Sequence, residues 1–176
     1  MTKKIISIEN LKKVILKLKD KRKKIVLCHG VFDLLHIGHI KYFKEAKNFG
    51  DILVVTLTPD IYVNKGPKRP AFNEKLRIEA IAALSVVDYV ALNSTPTAVS
   101  IIQKIKPNIY CKGSDYEDHN NDITGHIKKE INAVKKVGGK IVYTKDITFS
   151  SSKLINLNET HSNLHKLSIK KIKKDY

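Results

Sequence analysis

The chain lacks several features that would assign it to a specialised class of protein. Its 176 residues include two cysteines, one methionine and no tryptophan. The two cysteines, Cys28 and Cys111, form neither a zinc-ligand spacing nor a disulfide framework, so we expect small core residues in a reducing compartment. No apolar run approaches the roughly 18 residues of a membrane helix, and the charged N-terminus lacks the apolar block of a signal peptide. These absences predict a cytoplasmic protein with no membrane partner.

Arginine is also scarce, although the chain is strongly basic. Of the 33 basic residues only three are arginine, and the formal net charge is +16. Ten basic and two acidic residues in 1–24 give +8, and five and one in 161–176 give +4. Most of the excess charge therefore lies at the two ends. Because specific reading of nucleic acid favours arginine, we expect a solvated lysine-rich surface, with a basic nucleic-acid-binding module as the less favoured alternative.

Apolar runs of strand type alternate with helical patterns along the chain. The strand patterns lie at 23–30, 52–57, 88–92, 108–112 and 140–144. The helical patterns lie at 8–20, 38–48, 74–85, 97–106, 124–137 and from Ser150 to about Asn156. Such alternation predicts an α/β fold, a Rossmann-like five-stranded parallel sheet with helices on both faces.

The segment after the first predicted strand carries the strongest functional signal. Ligands of an open parallel sheet bind beyond the carboxyl ends of its strands. Gly30 allows a tight turn there, and the following helix offers free N–H groups and a positive dipole end. His36 and His39 lie on one side of that first helical turn, with a glycine between them. Together with Phe32 and Asp33 they suit a polyphosphate. A capping histidine or a metal-binding pair is the alternative, but no third metal ligand lies at a useful spacing.

Four motifs in order resemble the cytidylyltransferase-like family of nucleotidyltransferases, which carries a HIGH signature. The segment GVFDLLHIGH (30–39) resembles that signature, and KGPKRPAFNEKLR (65–77) resembles the family's triphosphate-contacting loop. KGSDY (112–116) resembles its K-G-x-D-[YW] segment, and FSSSKLI (149–155) resembles the start of its final helix. The resemblance spans about residues 24–157. The loop and the helix ending ALSVVDYV look most like the heptose 1-phosphate adenylyltransferases of ADP-heptose synthesis.

The resemblance implies a reaction and its partners. It implies an enzyme that joins the NMP part of ATP or CTP to a phosphorylated sugar or polyol, releases pyrophosphate and uses Mg²⁺, in activated-sugar synthesis for surface polysaccharide. A glycerol 3-phosphate-type cytidylyltransferase is the alternative within the family. The resemblance also implies a homodimer and a sugar kinase fused in related proteins. We therefore expect an amphipathic helix in residues 1–23 that is part of the domain, a nucleotidyltransferase domain at 24–158, and a basic tail or kinase linker at 159–176.

Residue roles follow from the resemblance together with the physics of phosphoryl transfer. The acceptor phosphate is itself an adequate nucleophile, so catalysis reduces to positioning and charge neutralisation. We expect four catalytic residues: His36 and His39 as donors to the phosphates, Lys41 as a cation for the acceptor phosphate, and Arg77 as the holder of the β and γ phosphates. The residues expected to bind the nucleotide are Gly30, Val31, Phe32, Asp33, Lys65, Arg69, Gly113, Asp115, Ser150, Ser151 and Ser152.

Several of these assignments have a simpler alternative. Asp33 is either linked to a metal or a helix cap, and it is the one candidate for direct metal contact. The serines at 150–152 also suit a plain N-cap, and Asp115 also suits a turn. His29 stands where the family usually has Asn or Thr, so it is either a further donor or a space-filling residue. The acidic insertion at 115–126 leaves the identity of the acceptor open.

Overall fold

The computed structural model describes residues 4–116 and 126–145. Within these ranges the helices α1 to α5 span Ile8–Asp20, Ile37–Asn48, Glu74–Ala82, Val99–Ile105 and Ile127–Lys136. The strands β1 to β5 span Ile25–Gly30, Ile52–Leu57, Tyr89–Leu92, Ile109–Lys112 and Lys140–Tyr143. Short 3-10 turns follow β2 and β4 at Asp60–Tyr62 and Ser114–Tyr116. The predicted helix from Ser150 and the basic tail at 159–176 lie outside the described residues.

The five strands form one parallel sheet in the order β3-β2-β1-β4-β5. The chain reverses its direction along the sheet between β1 and β4, which are neighbours with Cys28 opposite Cys111. A ligand crevice is therefore expected beyond the carboxyl ends of these two strands. The predicted Rossmann-like fold class is confirmed.

Helices cover both faces of this sheet because successive strand residues point to opposite sides. Leu27 packs in a cluster with residues of α1, α4 and α5, whereas Val26 and Cys28 pack in a second cluster with residues of α2 and α3. In α1, Leu11 and Ile15 are four residues apart, so one helix face buries both of them. None of the helices in the described ranges is long and apolar enough to cross a membrane.

The end of α3 and the start of α4 differ from the predicted positions for local reasons. The helix predicted at 74–85 ends at Ala82, because Leu84 donates its N–H to the Ile81 carbonyl and starts a turn. The helix predicted at 97–106 begins only at Val99. The side-chain amide of Asn93 donates to the backbone carbonyls of residues 95 and 97, at 2.8 Å each, and ties them into a turn.

The chain before α1 pairs with the edge of the sheet, which periodicity did not predict. Ile6 donates its N–H to the Val90 carbonyl at 3.0 Å, and Val90 donates to the Lys4 carbonyl at 2.8 Å. This segment satisfies backbone groups that β3 would otherwise leave open as an edge strand. It is too short to show the alternation that predicts a strand.

Gly139, at the entrance to β5, provides a test of this packing. A Cβ atom there would lie 2.6 Å from the carbonyl oxygen of Pro107 and 3.2 Å from a methyl group of Val134. We expect Gly139→Ala to lower the free energy of unfolding by about 1–3 kcal/mol, as overpacking does. Urea denaturation measures this change. The neighbouring exposed variant Lys140→Ala should stay within about 0.5 kcal/mol of the parent, and equal stability of the two variants would contradict the packing argument.

Candidate active site

Two histidine rings lie stacked at the N-terminus of α2. His36 is the N-cap residue, and its Nδ1 accepts the Gly38 N–H at 3.1 Å. Because Nδ1 is an acceptor, the proton of the neutral ring lies on Nε2. The ring of His39 stacks on that of His36 with centroids 3.9 Å apart. The structure therefore brings the two predicted phosphate donors together.

Both histidines favour the neutral form in the absence of a ligand. Burial lowers the pKa of His39 to about 3, with further lowering from the neighbouring His36 and Lys65. Burial also lowers the pKa of His36. An anion bound beside these rings would favour the charged form and raise their pKa. A bound phosphate would therefore favour protonation of the two rings and strengthen their hydrogen bonds to it.

The turn before α2 is shaped by Gly30 and Phe32. Phe32 has a positive φ of 48°, and its ring lies edge-on to the His39 ring at 5.4 Å. A Cβ atom on Gly30 would lie 3.1 Å from the Phe32 ring, so glycine lets this ring cover the backbone. Gly30 thus makes room for the Phe32 ring, and the Phe32 ring packs against His39. Their contact with a nucleotide stays a prediction.

Arg77 is buried beneath the same turn. Its residue exposure is 2%, and its guanidinium donates to the carbonyls of Val31 and Thr58 and to the Asp60 carboxylate, the last at 2.6 Å. Arg77 thus joins the β1–α2 turn, the end of β2 and the start of α3. In this structure the guanidinium donates to protein acceptors. Its predicted contact with the β and γ phosphates stays a prediction. The acidic partner at position 60 was missed from the sequence.

The loop at 63–73, which contains Lys65 and Arg69, is fixed at its base. The Asp60 N–H donates to the Glu74 carboxylate at 2.8 Å, and the Glu74 N–H donates to the Asp60 carboxylate at 2.9 Å. This reciprocal pair holds the two ends of the loop together. Lys65 is exposed near the first end, close enough to His39 to lower its pKa.

Asp33 contacts the middle of this loop. Its residue exposure is 1%, its Oδ2 lies 3.0 Å from Arg69 Nε, and its Oδ1 accepts the Ala71 N–H at 2.5 Å. His36 is the N-cap of α2, so the cap interpretation of Asp33 is wrong. Within 4–116 and 126–145, no group of three His, Cys, Asp or Glu residues could hold a metal ion. Asp33 Oδ1 accepts the Ala71 N–H, whereas Oδ2 forms an ion pair with Arg69 but no hydrogen bond, so the metal-linked interpretation stays a prediction.

The remaining predicted residues lie on α2, after β4 or outside the described part of the chain. Lys41 is half-buried on α2 and lines a groove with Lys44 and Lys145. Gly113 follows β4 directly, and the backbone of Asp115 lies in the 3-10 turn at Ser114–Tyr116. The roles of all three predicted serines, Ser150, Ser151 and Ser152, stay predictions because those residues lie outside the described ranges.

His29 is a buried core residue next to the site. Its two ring nitrogens lie 3.0 Å from Thr56 Oγ1 and 3.3 Å from Thr58 Oγ1. Burial lowers the pKa of His29 to about 4. Both ring nitrogens have protein partners, so the space-filling interpretation describes this residue better than that of a further donor.

A buried ion pair lies on the α5 side of the sheet, and the sequence analysis missed it. Lys112 Nζ lies 3.5 Å from the Glu130 carboxylate, which also accepts the Ala98 N–H at 2.9 Å and the Tyr110 hydroxyl at 2.8 Å. The ammonium group also lies 4.1 Å from the centroid of the Tyr116 ring. Burial raises the pKa of Glu130, but Lys112, His29 and the two hydrogen bonds lower it more, so the carboxyl is ionised. The pair joins β4, α4 and α5.

Removing one partner of this pair should be costly. Lys112→Met leaves a buried carboxylate without its cation, and we expect the free energy of unfolding to fall by about 3–5 kcal/mol. The double variant with Lys112→Met and Glu130→Gln should lose less. Urea denaturation compares them with Lys23→Met, which breaks the exposed Lys23–Asp51 pair and should cost less than about 1 kcal/mol. A loss in Lys112→Met no larger than in this control would argue against the buried pair.

His29 should also make stability depend on pH. Its folded pKa of about 4 lies below the value of about 6.5 in an unfolded chain, so the unfolded state binds more protons between these values. The contribution of His29 is complete above pH 6.5 and falls by at most about 3 kcal/mol as the pH drops to 4. Denaturant titrations of wild type and His29→Gln from pH 4 to 8 should show a shallower acid loss in the variant. Identical slopes would contradict the burial of a neutral imidazole.

Comparison with known sequences places this site in a family. Residues 27–157 match the cytidylyltransferase-like family. The bifunctional protein HldE of Aliarcobacter butzleri is 41% identical over 139 residues, which cover 77% of this chain and 29% of that protein. HldE of Geobacter metallireducens is 39% identical over 140 residues, covering 78% and 27%. The chain thus spans less than a third of the length of these curated relatives.

Solved structures agree with the sequence comparison. The lipopolysaccharide core biosynthesis protein from Thermoplasma volcanium has a TM-score of 0.59 and 32% identity, over 72% of this chain and 99% of that chain. Pantoate-beta-alanine ligase from Francisella tularensis has a TM-score of 0.61 over 86% of this chain and 72% of its own, but at 18% identity it shows the fold alone. The sequence match covers most of the chain and confirms the predicted family: the chain belongs to the cytidylyltransferase-like family.

Proposed function

We propose that the protein transfers the adenylyl group of ATP to a phosphorylated sugar, with heptose 1-phosphate as the preferred acceptor and pyrophosphate as the second product. The observation that carries this proposal is the stacked pair of neutral histidines at the N-terminus of α2, with Lys65 of the loop nearby. The heptose acceptor is supported by the similarity to HldE proteins and to a lipopolysaccharide core biosynthesis protein.

The reaction needs no protein nucleophile. An oxygen of the acceptor phosphate attacks the α-phosphorus of ATP, the bond from that phosphorus to the oxygen bridging to the β-phosphate breaks, and pyrophosphate leaves with the electron pair. No proton has to be abstracted, because the acceptor oxygen is already anionic. The protein therefore contributes alignment and neutralisation of negative charge.

The residues of the site are suited to that task. His36 presents its Nε2–H, since its Nδ1 accepts the Gly38 N–H. His39 lies beside it, held by the Phe32 ring and by a backbone hydrogen bond with Leu34, and we assign it the role of second donor. The positive end of the α2 dipole favours anions at this point. We assign the α-phosphate and the leaving pyrophosphate to this helix end, Lys65 to the pyrophosphate, and Lys41 to the acceptor phosphate.

Mg²⁺ enters this proposal only with the substrate. Nucleoside triphosphates carry Mg²⁺ on their phosphate oxygens, usually with few protein ligands. Asp33 Oδ1 accepts the Ala71 N–H and Oδ2 pairs with the Arg69 guanidinium, so we assign this carboxylate to the loop and not to the metal. The proposed roles of the protein's own residues therefore do not depend on a protein-bound metal, and the dependence of pyrophosphate release on added Mg²⁺ tests the cofactor.

Other outcomes of the same assay are distinguishable. Transfer from CTP to glycerol 3-phosphate would indicate the cytidylyltransferase alternative, and the family comparisons do not favour a nucleic-acid-binding module. A screen of four nucleoside triphosphates against sugar and polyol phosphates identifies nucleotide and acceptor together.

We further propose that the protein is a cytoplasmic homodimer and acts with a sugar kinase that supplies the acceptor phosphate. Sedimentation tests the dimer.

Removing the imidazole of His39 tests the proposed site directly. His39→Ala should lower kcat for pyrophosphate release by at least about 10²-fold, the usual scale for one donor that stabilises developing charge. Coupled pyrophosphate detection with ATP and heptose 1-phosphate measures the rate. His126 precedes α5, which packs against the opposite face of the sheet.

His126→Ala is therefore the matched control, and we expect it to keep most of the activity. Thermal unfolding of both variants checks that they are folded. Equal activity of His39→Ala and wild type would remove His39 from the site.

A further inference from the structure

We propose that Asp33 is a positioning residue that fastens the phosphate loop at 65–73 over the histidine pair, with Arg69 as its buried counter-charge. This proposal rests on the proposed function, since the loop is assigned to the triphosphate. It replaces a metal-linked or capping role for Asp33, and it replaces direct phosphate binding as the main role of Arg69.

Both oxygens of Asp33 bind the loop. Oδ2 pairs with Arg69 Nε at 3.0 Å, and Oδ1 accepts the Ala71 N–H at 2.5 Å. The side chain of Asp33 has 0% exposure and that of Arg69 has 6%. Charge-assisted hydrogen bonds are strong when water is excluded, and either charge left alone in this position would be costly. The two contacts therefore act as one fastening between the β1–α2 turn and the loop.

The fastening determines the course of the whole loop. The Asp60–Glu74 pair already holds the ends of the loop together, so the middle is the part left to be fixed. Asp33 fixes it at positions 69 and 71. Lys65 lies four residues before Arg69, and in this arrangement it is close enough to lower the pKa of His39. Holding the loop down thus keeps an exposed cation beside the proposed phosphate donors.

Charge balance separates the roles of the two loop cations. The Asp33–Arg69 pair is neutral as a unit, so it adds little attraction for a polyphosphate. Lys65 is exposed on the same loop, and its positive charge acts on His39. Arg69 acts on the substrate through the position that it gives to Lys65.

Limited proteolysis tests the fastening without relying on activity. Trypsin cleaves after Lys65 and after Lys68, which are both exposed in the loop. Asp33→Asn keeps an oxygen for the Ala71 N–H but removes the charge that pairs with Arg69. We expect cleavage in the loop, mapped by mass spectrometry, to speed up about tenfold or more in Asp33→Asn and in Arg69→Gln. A tenfold faster cleavage corresponds to a loss of about 1.4 kcal/mol in the free energy that holds the loop in its bound position.

Asp51→Asn is the matched control. Asp51 also accepts a backbone N–H, that of Lys24 at 2.7 Å, and pairs with Lys23, but it precedes β2 and so lies at the amino-terminal ends of the strands. We expect wild-type cleavage of the loop in this variant. Unchanged cleavage in Asp33→Asn, or the same increase in Asp51→Asn, would overturn the proposal.

Kinetics then separate positioning from direct contact. If the two residues act as one pair, the double variant should lose no more activity than the worse single variant, and the concentration of Mg²⁺ for half-maximal rate should stay unchanged. Losses that add, with Arg69→Gln much worse than Asp33→Asn, would make Arg69 a phosphate ligand. A raised Mg²⁺ requirement in Asp33→Asn would make Asp33 a metal ligand. If wild type released no pyrophosphate, the proposed function would fail, while the cleavage rates would still decide the fastening.

Discussion

The buried guanidinium of Arg77 is the contact on which the arrangement of the site depends. It reaches two segments that are far apart in the chain: the turn after β1 through Val31, and the stretch that follows β2 through Thr58 and Asp60. A parallel sheet fixes the ends of its strands but not the loops beyond them. One planar group with several donors can bind a carbonyl from each loop and a carboxylate at once, which an ammonium group cannot do with comparable geometry. Arg77 thereby links the turn that leads to His36 and α2 with the stretch that follows β2.

The residues that hold the site together are charged and buried, and each has an opposite charge beside it. Asp33 pairs with Arg69 and Lys112 with Glu130, both with little exposed surface. The histidines that face the proposed ligand are instead neutral, because burial disfavours their charged form. The two histidines thus carry no charge until a polyphosphate binds. A bound anion can raise the pKa of both rings. It also lies near Lys65, since Asp33 pairs with Arg69 and not with that lysine.

Local patterns in the sequence were sufficient for the sheet, the alternating helices and the histidine pair. The strand runs and the spacing of His36 and His39 are short-range features that neighbouring residues determine. The partners of Asp33, Arg69 and Arg77 could not be predicted in this way, because each contact joins segments 17 to 46 residues apart. The sequence identified these side chains as unusual, but it could not distinguish a side chain that binds phosphate from one that binds another loop.

The distribution of arginine explains why charge alone was a poor guide to function. Lysine supplies most of the positive charge, and +12 of the net charge of +16 lies outside the segment between residues 25 and 160. Two of the three arginines, Arg69 and Arg77, make buried contacts at the candidate site, where a planar guanidinium can donate to several acceptors at once. An ammonium group on a flexible stem suits a solvated surface or an exposed loop, which is where Lys65 lies. The chemical difference between the two cations therefore separates the residues that build the site from those that can meet its ligand, and total charge carries no such information.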